Sequence, residues 1–237
     1  MKVLAVIPAR WASSRYPGKP LADIGGKPML QAVYEQTLLC KSISEVLIAT
    51  DDGRILRAAE SFGAHAVMTS TECVSGTDRV AQAIRGIGAD AVINIQGDQV
   101  LFDISALTDM VNELKQGCPM VTIATGASAE DAADPNTVKV VLDRKGYALY
   151  FSSAAIPFCR VPGHAVMLKH VGIYGFSREA LDCFNRLPQS PLELSESLEQ
   201  LRALENGIPI KVVIASGAFH EINTPQDLVR IIERCRT

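Results

Sequence analysis

The sequence predicts an α/β protein whose mixed, mostly parallel sheet is flanked by helices. Apolar runs of strand length alternate with helical patterns through the first half of the chain, which is typical of βαβ units. Polar segments follow several of these runs directly, as expected for loops at the carboxyl edge of a parallel sheet. The second half adds a hairpin pattern, and the predicted sheet is therefore mixed.

The first half of the chain is predicted to alternate strands and helices without a break. Right-handed crossovers between parallel strands place their exit loops along one edge, where ligands usually bind. In chain order the predicted elements are strand Val3–Ile7, helix Met29–Cys40, strand Glu45–Thr50, helix Arg54–Phe62, strand Ala66–Met68, helix Thr77–Ile84 and strand Ala91–Ile95.

The second half is predicted to contain a hairpin, further strands and two helices. Leucines at three- and four-residue spacing predict one helix over Pro191–Glu205, which Gly207 ends. Thr224 and Pro225 form a helix start signal for a closing helix that runs to about Cys235. The predicted strands are Lys139–Leu142 and Tyr147–Phe151, which flank a charged turn, then Lys169–Phe176 and Ile210–Ile214.

Length and composition favour one domain over residues 1–237. The 237 residues are 48% apolar, and no linker, repeat or low-complexity segment divides them. Such a chain is long enough to bury a substantial core. Within this domain, the irregular segment 143–168 is a possible excursion for contact with a second copy in a dimer.

Charge and hydropathy exclude several classes of partner. A net charge of -3 provides no basic field for nucleic acid. The apolar runs have strand length, so no membrane span is expected, and no export signal is expected either, since the first residues already have a strand pattern. The cysteines lack CxxC spacing, which favours reduced thiols over disulfides or zinc. A cytoplasmic location is therefore expected.

The loop after the first strand is the strongest functional signal. It holds three cations, small hydroxyl residues and a glycine between two prolines, all outside the carboxyl end of a strand. Such a loop suits the phosphates of a nucleoside triphosphate, although it is neither a P-loop nor a dinucleotide fingerprint. A basic surface turn is the alternative. The residues concerned are Arg10, Ser13, Ser14, Arg15, Pro17, Gly18, Lys19 and Pro20.

Other polar segments follow the later strands of the first half. Asp51-Asp52 is expected to cap the helix that follows it. The segment Ser75–Arg79 starts a helix whose open amide groups suit a base or a phosphate. Gln96 and Asp98 surround a glycine that allows close approach of a ligand. Asp98 is a candidate magnesium ligand, with a simple turn as the alternative.

Taken together, these blocks resemble the 3-deoxy-manno-octulosonate cytidylyltransferases, also called CMP-Kdo synthetases. The resemblance runs nearly end to end in order and spacing. Its blocks are IPARWASSRYPGKPLADIGGKPM (7–29), IATDD (48–52), MTSTECVSGTDR (68–79), VINIQGD (92–98), VKVVLDRKGYALYFS (138–152), KHVGIYGFS (169–177), SLEQLRALENG (197–207) and NTPQDL (223–228).

The resemblance implies a reaction and a location. The anomeric hydroxyl of an eight-carbon 3-deoxy-ulosonic acid would attack the α-phosphorus of CTP, giving a CMP-sugar for lipopolysaccharide synthesis and pyrophosphate. Such an enzyme would be a magnesium-dependent nucleotidyltransferase of the nucleotide-diphospho-sugar transferase fold, homodimeric and cytoplasmic. Attack at phosphorus requires positioning and charge neutralisation rather than an enzyme nucleophile.

The resemblance also implies roles for individual residues. Arg10, Ser14, Arg15 and Lys19 would hold the triphosphate, and Ser75, Gly76, Thr77 and Arg79 would read the cytosine. Arg15, Lys19 and Asp98 would be catalytic, with Asp98 and the residue at position 223, here Asn223, as the metal positions. Gln96, His170, Glu199 and Gln200 would face the sugar. From their patterns alone, His170 would be a structural strand histidine, and Glu199 and Gln200 a solvated helix face.

Several residues depart from the family pattern. Asn223 replaces an aspartate that would bind magnesium, so weaker metal affinity is expected, with Glu221 as a nearby carboxylate. Ser153 replaces an arginine, and Gln99 a glutamate, close to the expected sugar site. Three hypotheses remain: transfer to Kdo, the same reaction on a modified octulosonate such as its 8-amino derivative, or a CTP-binding homologue with impaired catalysis.

Overall fold

The computed structural model describes residues 1–12, 16–161, 166–222, 224 and 226–227. The chain divides into two compact units, Met1–Ile104 with Ala218–Thr237 and Ser105–Gly217, called unit 1 and unit 2 below. Both contain strands and helices, which confirms the predicted α/β class with a mixed sheet. The single domain over residues 1–237 stays a prediction.

Unit 1 is built from alternating strands and helices whose sheet has the order β4–β1–β2–β3, with all strands parallel. Every residue of the central strand β1 is buried, as expected for a parallel strand covered on both faces. The carboxyl ends of these strands therefore meet at one edge. The elements are β1 (Val3–Ala9), α1 (Met29–Leu38), β2 (Glu45–Thr50), α2 (Gly53–Ser61), β3 (His65–Met68), α3 (Gly76–Ala83), β4 (Ala91–Asn94) and β5 (Gln99–Leu101).

Two short features complete the edge of unit 1. A 3-10 helix, Lys19–Leu21, follows Gly18, whose φ of 71° lies in the left-handed region that favours glycine. The strand β5 pairs antiparallel with the two-residue strand His220–Glu221, with Gln99 opposite Glu221. The amide of Ile222 then donates to the carbonyl oxygen of Asp98 at 3.0 Å. Ile222 is thus fixed beside the exit of β4.

Unit 2 has a mixed sheet of order β10–β6–β9–β7–β8. Only the β10–β6 pair is parallel among the strand pairs described for this unit. The elements of unit 2 are α4 (Ile104–Lys115), β6 (Met120–Gly126), α5 (Ala129–Ala133), β7 (Lys139–Leu142), β8 (Ala148–Ser152), β9 (Leu168–Ser177), α6 (Arg178–Phe184), α7 (Pro191–Glu196), α8 (Gln200–Glu205) and β10 (Ile210–Ile214).

The predicted single helix over Pro191–Glu205 is wrong. The structure has two short helices, α7 and α8, separated by Ser197 with a φ of 56°. Leu194, expected on the buried stripe, is 61% exposed, whereas Leu201 is fully buried. The elements α4, β6, α5 and α6 were not predicted. The closing helix predicted to Cys235 lies outside the described residues beyond position 227.

The helices are also short. Within the described part of the chain, none combines the length and apolar character needed to cross a bilayer.

Candidate active site

A cavity of about 150 Å³ lies at the carboxyl edge of the unit 1 sheet. It opens where β1 ends and where α3 begins, so two arginines and several small residues surround it. This combination suits a small polar group better than an extended apolar ligand. Its lining residues are Pro8, Ala9, Arg10, Cys73, Val74, Ser75, Gly76, Arg79 and Gln96.

Glycines allow the neighbouring segments to approach closely at this edge. A Cβ added to Gly97 would lie 2.9 Å from the carbonyl oxygen of Pro8, which is too close for any other residue without backbone movement. A Cβ on Gly76 would lie 3.2 Å from Oε1 of Gln96. The exits of β1 and β4 and the start of α3 are therefore in direct contact.

Lys19 and Asp98 form an ion pair at the same edge. Nζ of Lys19 lies 2.6 Å from Oδ2 of Asp98, and both side chains are largely buried. The other carboxylate oxygen, Oδ1, is also buried and has no hydrogen-bond partner among the described residues. A buried carboxylate oxygen without a donor is costly unless a ligand or an ion satisfies it.

Arg79 is buried at this edge of the sheet and forms an ion pair with Asp51. Nη2 donates to Oδ2 of Asp51 at 2.7 Å, and Nη1 donates to Oγ1 of Thr69 at 2.5 Å. These partners follow β2 and β3, so Arg79 ties two strand exits to α3. Asp51 is thus an ion-pair partner and not the helix cap that the sequence prediction assigned jointly to residues 51 and 52.

Asp52 does cap α2, as predicted. Its Oδ1 accepts a hydrogen bond from the amide of Arg54 at 2.8 Å. The Arg54 guanidinium also donates to this carboxylate, and these side-chain hydrogen bonds lower the pKa of Asp52 to about 2. The same guanidinium lies 3.4 Å from the ring centroid of Trp11, which packs against Gly18. The described ends of the first loop are therefore attached to α2.

Ser75 begins α3 through a capping box. Its Oγ accepts from the amide of Asp78 at 3.1 Å, and the Asp78 carboxylate accepts from the amide of Ser75 at 3.0 Å. This box holds the first turn of α3 against the cavity that Ser75 and Gly76 line. Thr77 lies behind it, buried, and its Oγ1 accepts from Nδ2 of Asn94 at 3.2 Å.

The described residues provide few carboxylates for a metal ion. They contain no cluster of three or more histidine, cysteine, aspartate or glutamate side chains with metal-binding spacing. Asp98 is the candidate ligand with a buried, unsatisfied oxygen. Asn223, the other predicted metal position, lies outside the described residues, directly after the Ile222 amide that is bonded to Asp98.

Unit 2 contains a polar cluster around His170. Its Nε2 lies 2.9 Å from Oγ1 of Thr122, and its ring packs against Phe151 and Tyr174 with centroid distances of 5.1 and 5.3 Å. Burial lowers the pKa of His170 to about 3. The imidazole is therefore neutral near pH 7 and offers one donor and one acceptor nitrogen.

Gln200 is oriented by Tyr174 in the same unit. The Tyr174 hydroxyl donates to Oε1 of Gln200 at 3.0 Å, and burial raises the pKa of this tyrosine, so it stays protonated. Nε2 of Gln200 is buried and makes no hydrogen bond to a described residue. Glu199, the N-cap residue of α8, precedes it directly. Arg202 and Glu193 form a buried ion pair that links α8 to α7.

Ser153 lies where the resemblance expects an arginine. Its carbonyl oxygen accepts from Nζ of the fully buried Lys139 at 2.5 Å, and its amide donates to Oε2 of Glu196 at 3.0 Å. The backbone at this position is therefore held from both sides. The small hydroxymethyl side chain brings no positive charge there.

The structure brings most of the predicted unit 1 residues together and leaves others undescribed. Arg10, Ser75, Gly76, Arg79 and Gln96 line the cavity. Ser14, Arg15 and Asn223 lie outside the described residues. The predictions did not include Cys73 and Val74 of the cavity, Asp51 as the partner of Arg79, or Thr122 and Tyr174 of the His170 cluster. No sequence pattern marks these contacts, since each joins different strands or helices.

Comparisons with known proteins agree on one family. A cytidylyltransferase family model matches residues 4–213. An 8-amino-3,8-dideoxy-manno-octulosonate cytidylyltransferase of Shewanella pealeana is 48% identical over 98% of both chains. A 3-deoxy-manno-octulosonate cytidylyltransferase of Geobacter sulfurreducens is 43% identical over the full length of both.

Solved structures show the same likeness. A CMP:2-keto-3-deoxy-manno-octonic acid synthetase complexed with CTP superposes with a TM-score of 0.96 at 41% identity, covering 100% of this chain and 99% of that one. A 4-diphosphocytidyl-2C-methyl-D-erythritol synthase of Anaerococcus prevotii covers 100% and 99%, with a TM-score of 0.64 at 15% identity, which supports the fold alone.

Proposed function

The chain belongs to the cytidylyltransferase family, and on that premise we propose that it transfers the cytidylyl group of CTP to the anomeric hydroxyl of 3-deoxy-manno-octulosonate, releasing pyrophosphate. The observation that carries this proposal is the Lys19–Asp98 ion pair at the sheet edge that also holds the cavity, in a chain that matches octulosonate cytidylyltransferases along its whole length.

The cavity residues support a CTP site in unit 1. Arg10 is exposed at the exit of β1 and lines the cavity, so its guanidinium is available to phosphate oxygens. Lys19 donates one hydrogen bond to Asp98, and its ammonium retains further protons for a triphosphate. The capped first turn of α3 presents Ser75 and Gly76 to the base, and we assign cytosine recognition to this turn. Ser14 and Arg15 complete the proposed triphosphate set.

Magnesium fits Asp98 as a cofactor. The unsatisfied, buried Oδ1 is the kind of hard oxygen donor that Mg²⁺ prefers, and Lys19 already neutralises the other oxygen. We propose Asp98 and Asn223 as the protein ligands. When bound, magnesium neutralises negative charge on the phosphates. Lys19 and Arg10 would then bind and orient the triphosphate for in-line attack, and charge on the leaving pyrophosphate would be stabilised by Lys19 and Arg15.

Unit 2 supports an acceptor site. The neutral imidazole of His170 and the unsatisfied Nε2 of Gln200 present hydrogen-bonding groups without a charge, next to Glu199. These residues are our proposed sugar contacts in unit 2. Gln96, the remaining sugar contact that the resemblance implies, lines the cavity of unit 1. The second candidate acceptor is 8-amino-3,8-dideoxy-manno-octulosonate. It is the sugar named for two Shewanella relatives that are 48% and 46% identical to this chain.

The test is pyrophosphate release from CTP and magnesium with each acceptor in turn, and with none. We expect release that depends on 3-deoxy-manno-octulosonate. A preference for the 8-amino sugar would establish the second candidate. A protein that binds CTP but releases no pyrophosphate with either sugar would be an impaired homologue, and the proposal would be refuted. Because Asn223 lacks a charge, the activity should require more magnesium than that of an Asn223→Asp variant.

We also propose that the protein is a homodimer. Large apolar side chains are exposed within segment 143–168, the segment predicted for dimer contact, where Phe158 is 86% and Val166 82% exposed. Burial of such side chains against a second copy would remove apolar surface from water. The expected location of the dimer is the cytoplasm.

A further inference from the structure

Thr122 lies within β6, and its hydroxyl faces three polar groups of β9. Oγ1 is 2.8 Å from the carbonyl oxygen of Ile173, 3.3 Å from that of Val171 and 2.9 Å from Nε2 of His170. A threonine hydroxyl has one proton and two lone pairs. Carbonyl oxygens only accept, so the hydroxyl proton goes to Ile173, the nearest of the three groups. Nε2 of His170 is therefore the donor to Oγ1.

A β-bulge creates this arrangement. The β6–β9 register shifts between Thr122 and Ile123, where Thr122 pairs with Tyr174 but Ile123 pairs with Val171. Residues four apart along a regular strand are separated by about 13 Å. Here the rings of His170 and Tyr174 lie only 5.3 Å apart. The bulge thus brings the side chains of His170 and Tyr174 together. It also places the carbonyl oxygens of Val171 and Ile173 within reach of the hydroxyl of Thr122.

The direction of the Thr122 bond determines which His170 nitrogen is available. A neutral imidazole protonated at Nε2 carries its lone pair on Nδ1. Nδ1 makes no hydrogen bond to a described residue, and the ring is held by Phe151 and Tyr174. Nδ1 is therefore a fixed hydrogen-bond acceptor.

We propose that Thr122 is a positioning residue for the acceptor sugar: it holds His170 in the Nε2–H tautomer, so that Nδ1 accepts a hydrogen bond from a hydroxyl or ammonium group of that sugar. This inference rests on the proposed function, since it assumes an octulosonate acceptor in unit 2. Tyr174 acts in a parallel way on Gln200, whose amide oxygen it occupies and whose Nε2 it leaves as a donor. The site then presents one hydrogen-bond acceptor, Nδ1 of His170, and one donor, Nε2 of Gln200.

The first measurement uses the protein without substrate. Nitrogen-15 NMR of labelled histidine distinguishes the tautomers, and a His170→Asn variant identifies the His170 signals among the four histidines. We expect the Nε2–H form in the wild type and in Thr122→Ser, which keeps the hydroxyl. Thr122→Val removes the acceptor for Nε2–H and should shift the ring toward the Nδ1–H form.

Steady-state kinetics provide the second measurement. Thr122→Val should raise the KM for the acceptor sugar about fivefold to tenfold, the size expected for one hydrogen bond. The KM for CTP should stay unchanged, and Thr122→Ser should restore the acceptor KM. Thr125→Val is the matched control, because Thr125 is on the same strand and its buried hydroxyl has no partner among the described residues.

Each unfavourable outcome is distinct. An Nδ1–H ring in the wild type would overturn the proposal. So would a Thr122→Val protein that keeps the Nε2–H ring, or that raises both KM values equally, since the latter indicates general damage to the fold. If the wild type releases no pyrophosphate with any octulosonate, the proposed function fails together with the sugar-positioning role, while the tautomer assignment stands on the NMR result.

Discussion

At the scale of single residues, Asp98 combines two roles that one substitution removes together. It neutralises Lys19 and keeps one buried oxygen unsatisfied. Asp98→Asn preserves the shape but removes the charge, so the magnesium site should weaken and Lys19 should lose its partner. We expect pyrophosphate release to fall by about 100-fold or more, within the range that one removed electrostatic contact produces.

The comparison for this substitution is Asp182→Asn. Asp182 also pairs with a cation, Arg178 at 3.0 Å, but on the solvent-facing side of α6 in unit 2. Its rate of pyrophosphate release should match that of the wild type. If Asp98→Asn retained wild-type turnover at low magnesium, Asp98 would not be a metal ligand.

His170 makes the stability of the protein depend on pH in a predictable direction. Burial lowers its pKa to about 3 from the ordinary histidine value of 6.5, so between these values the unfolded state binds a proton that the folded state does not. The stabilisation is complete above pH 6.5 and is lost as the pH falls toward 3, by at most about 1.4 kcal/mol per pH unit.

Urea unfolding at pH 7, 6 and 5 measures this effect. The difference in unfolding free energy between the wild type and His170→Asn should shrink as the pH decreases, because the variant has no such proton to exclude. His65→Asn, on an exposed edge strand, controls for the loss of any histidine. A difference that stays constant over this range would show that His170 is not held neutral.

At the scale of elements, two matching caps allow stability and binding to be separated. Ser75 at α3 and Ser128 at α5 form the same capping box, each with an aspartate three residues later. Only Ser75 lines the cavity. Replacing either serine by alanine should lower stability by about 1 kcal/mol, because a helix amide loses its acceptor.

Only Ser75→Ala should also raise the KM for CTP, since α3 would lose the geometry that it presents to the base. Thermal unfolding and CTP kinetics on both variants make the comparison. Equal KM values for CTP in the two variants would argue against base recognition by the first turn of α3.

The connection between α7 and α8 shows where periodicity is insufficient. Leucine spacing predicted one continuous helix, but Ser197 adopts a left-handed conformation that ends α7. Glu196 instead holds the Ser152 hydroxyl and the Ser153 amide, with distances of 2.6 and 3.0 Å. Those contacts join residues more than forty positions apart. The local spacing of leucines contains no information on such tertiary contacts, and these contacts outweigh helix propensity here.

At the scale of the whole molecule, the central strands of unit 1 could be predicted from the sequence because β1, β2 and β4 are almost wholly buried, whereas the edge strand β3 is not. Apolar runs such as Glu45–Thr50 therefore had clear ends, and their polar exits marked the cavity edge. The contacts that these polar residues make with other strands and helices could not be predicted from the sequence. Whether Arg79 pairs with Asp51 depends on which strands are neighbours, and spacing along the chain does not encode this. The bulge at Thr122 escaped prediction for the same reason.

The proposed dimer is the last property that belongs to the whole molecule. Phe158 is among the most exposed apolar side chains described, and it lies in the segment 143–168. A second copy packed there would bury its ring, at roughly 25 cal/mol per Å² of apolar surface. Phe158→Ser should therefore shift the dimer toward monomer at micromolar concentration in sedimentation velocity, with thermal unfolding confirming that the protomer is folded.

Leu39→Ser is the control for the dimer test. Leu39 is also exposed, at 56%, but it lies at the end of α1, far along the chain from the segment 143–168. This variant should sediment as the wild type does. If Phe158→Ser remained dimeric, contact between copies would have to use another surface. If the wild type were monomeric, the homodimer would be rejected, and the exposed apolar groups of segment 143–168 would need another explanation.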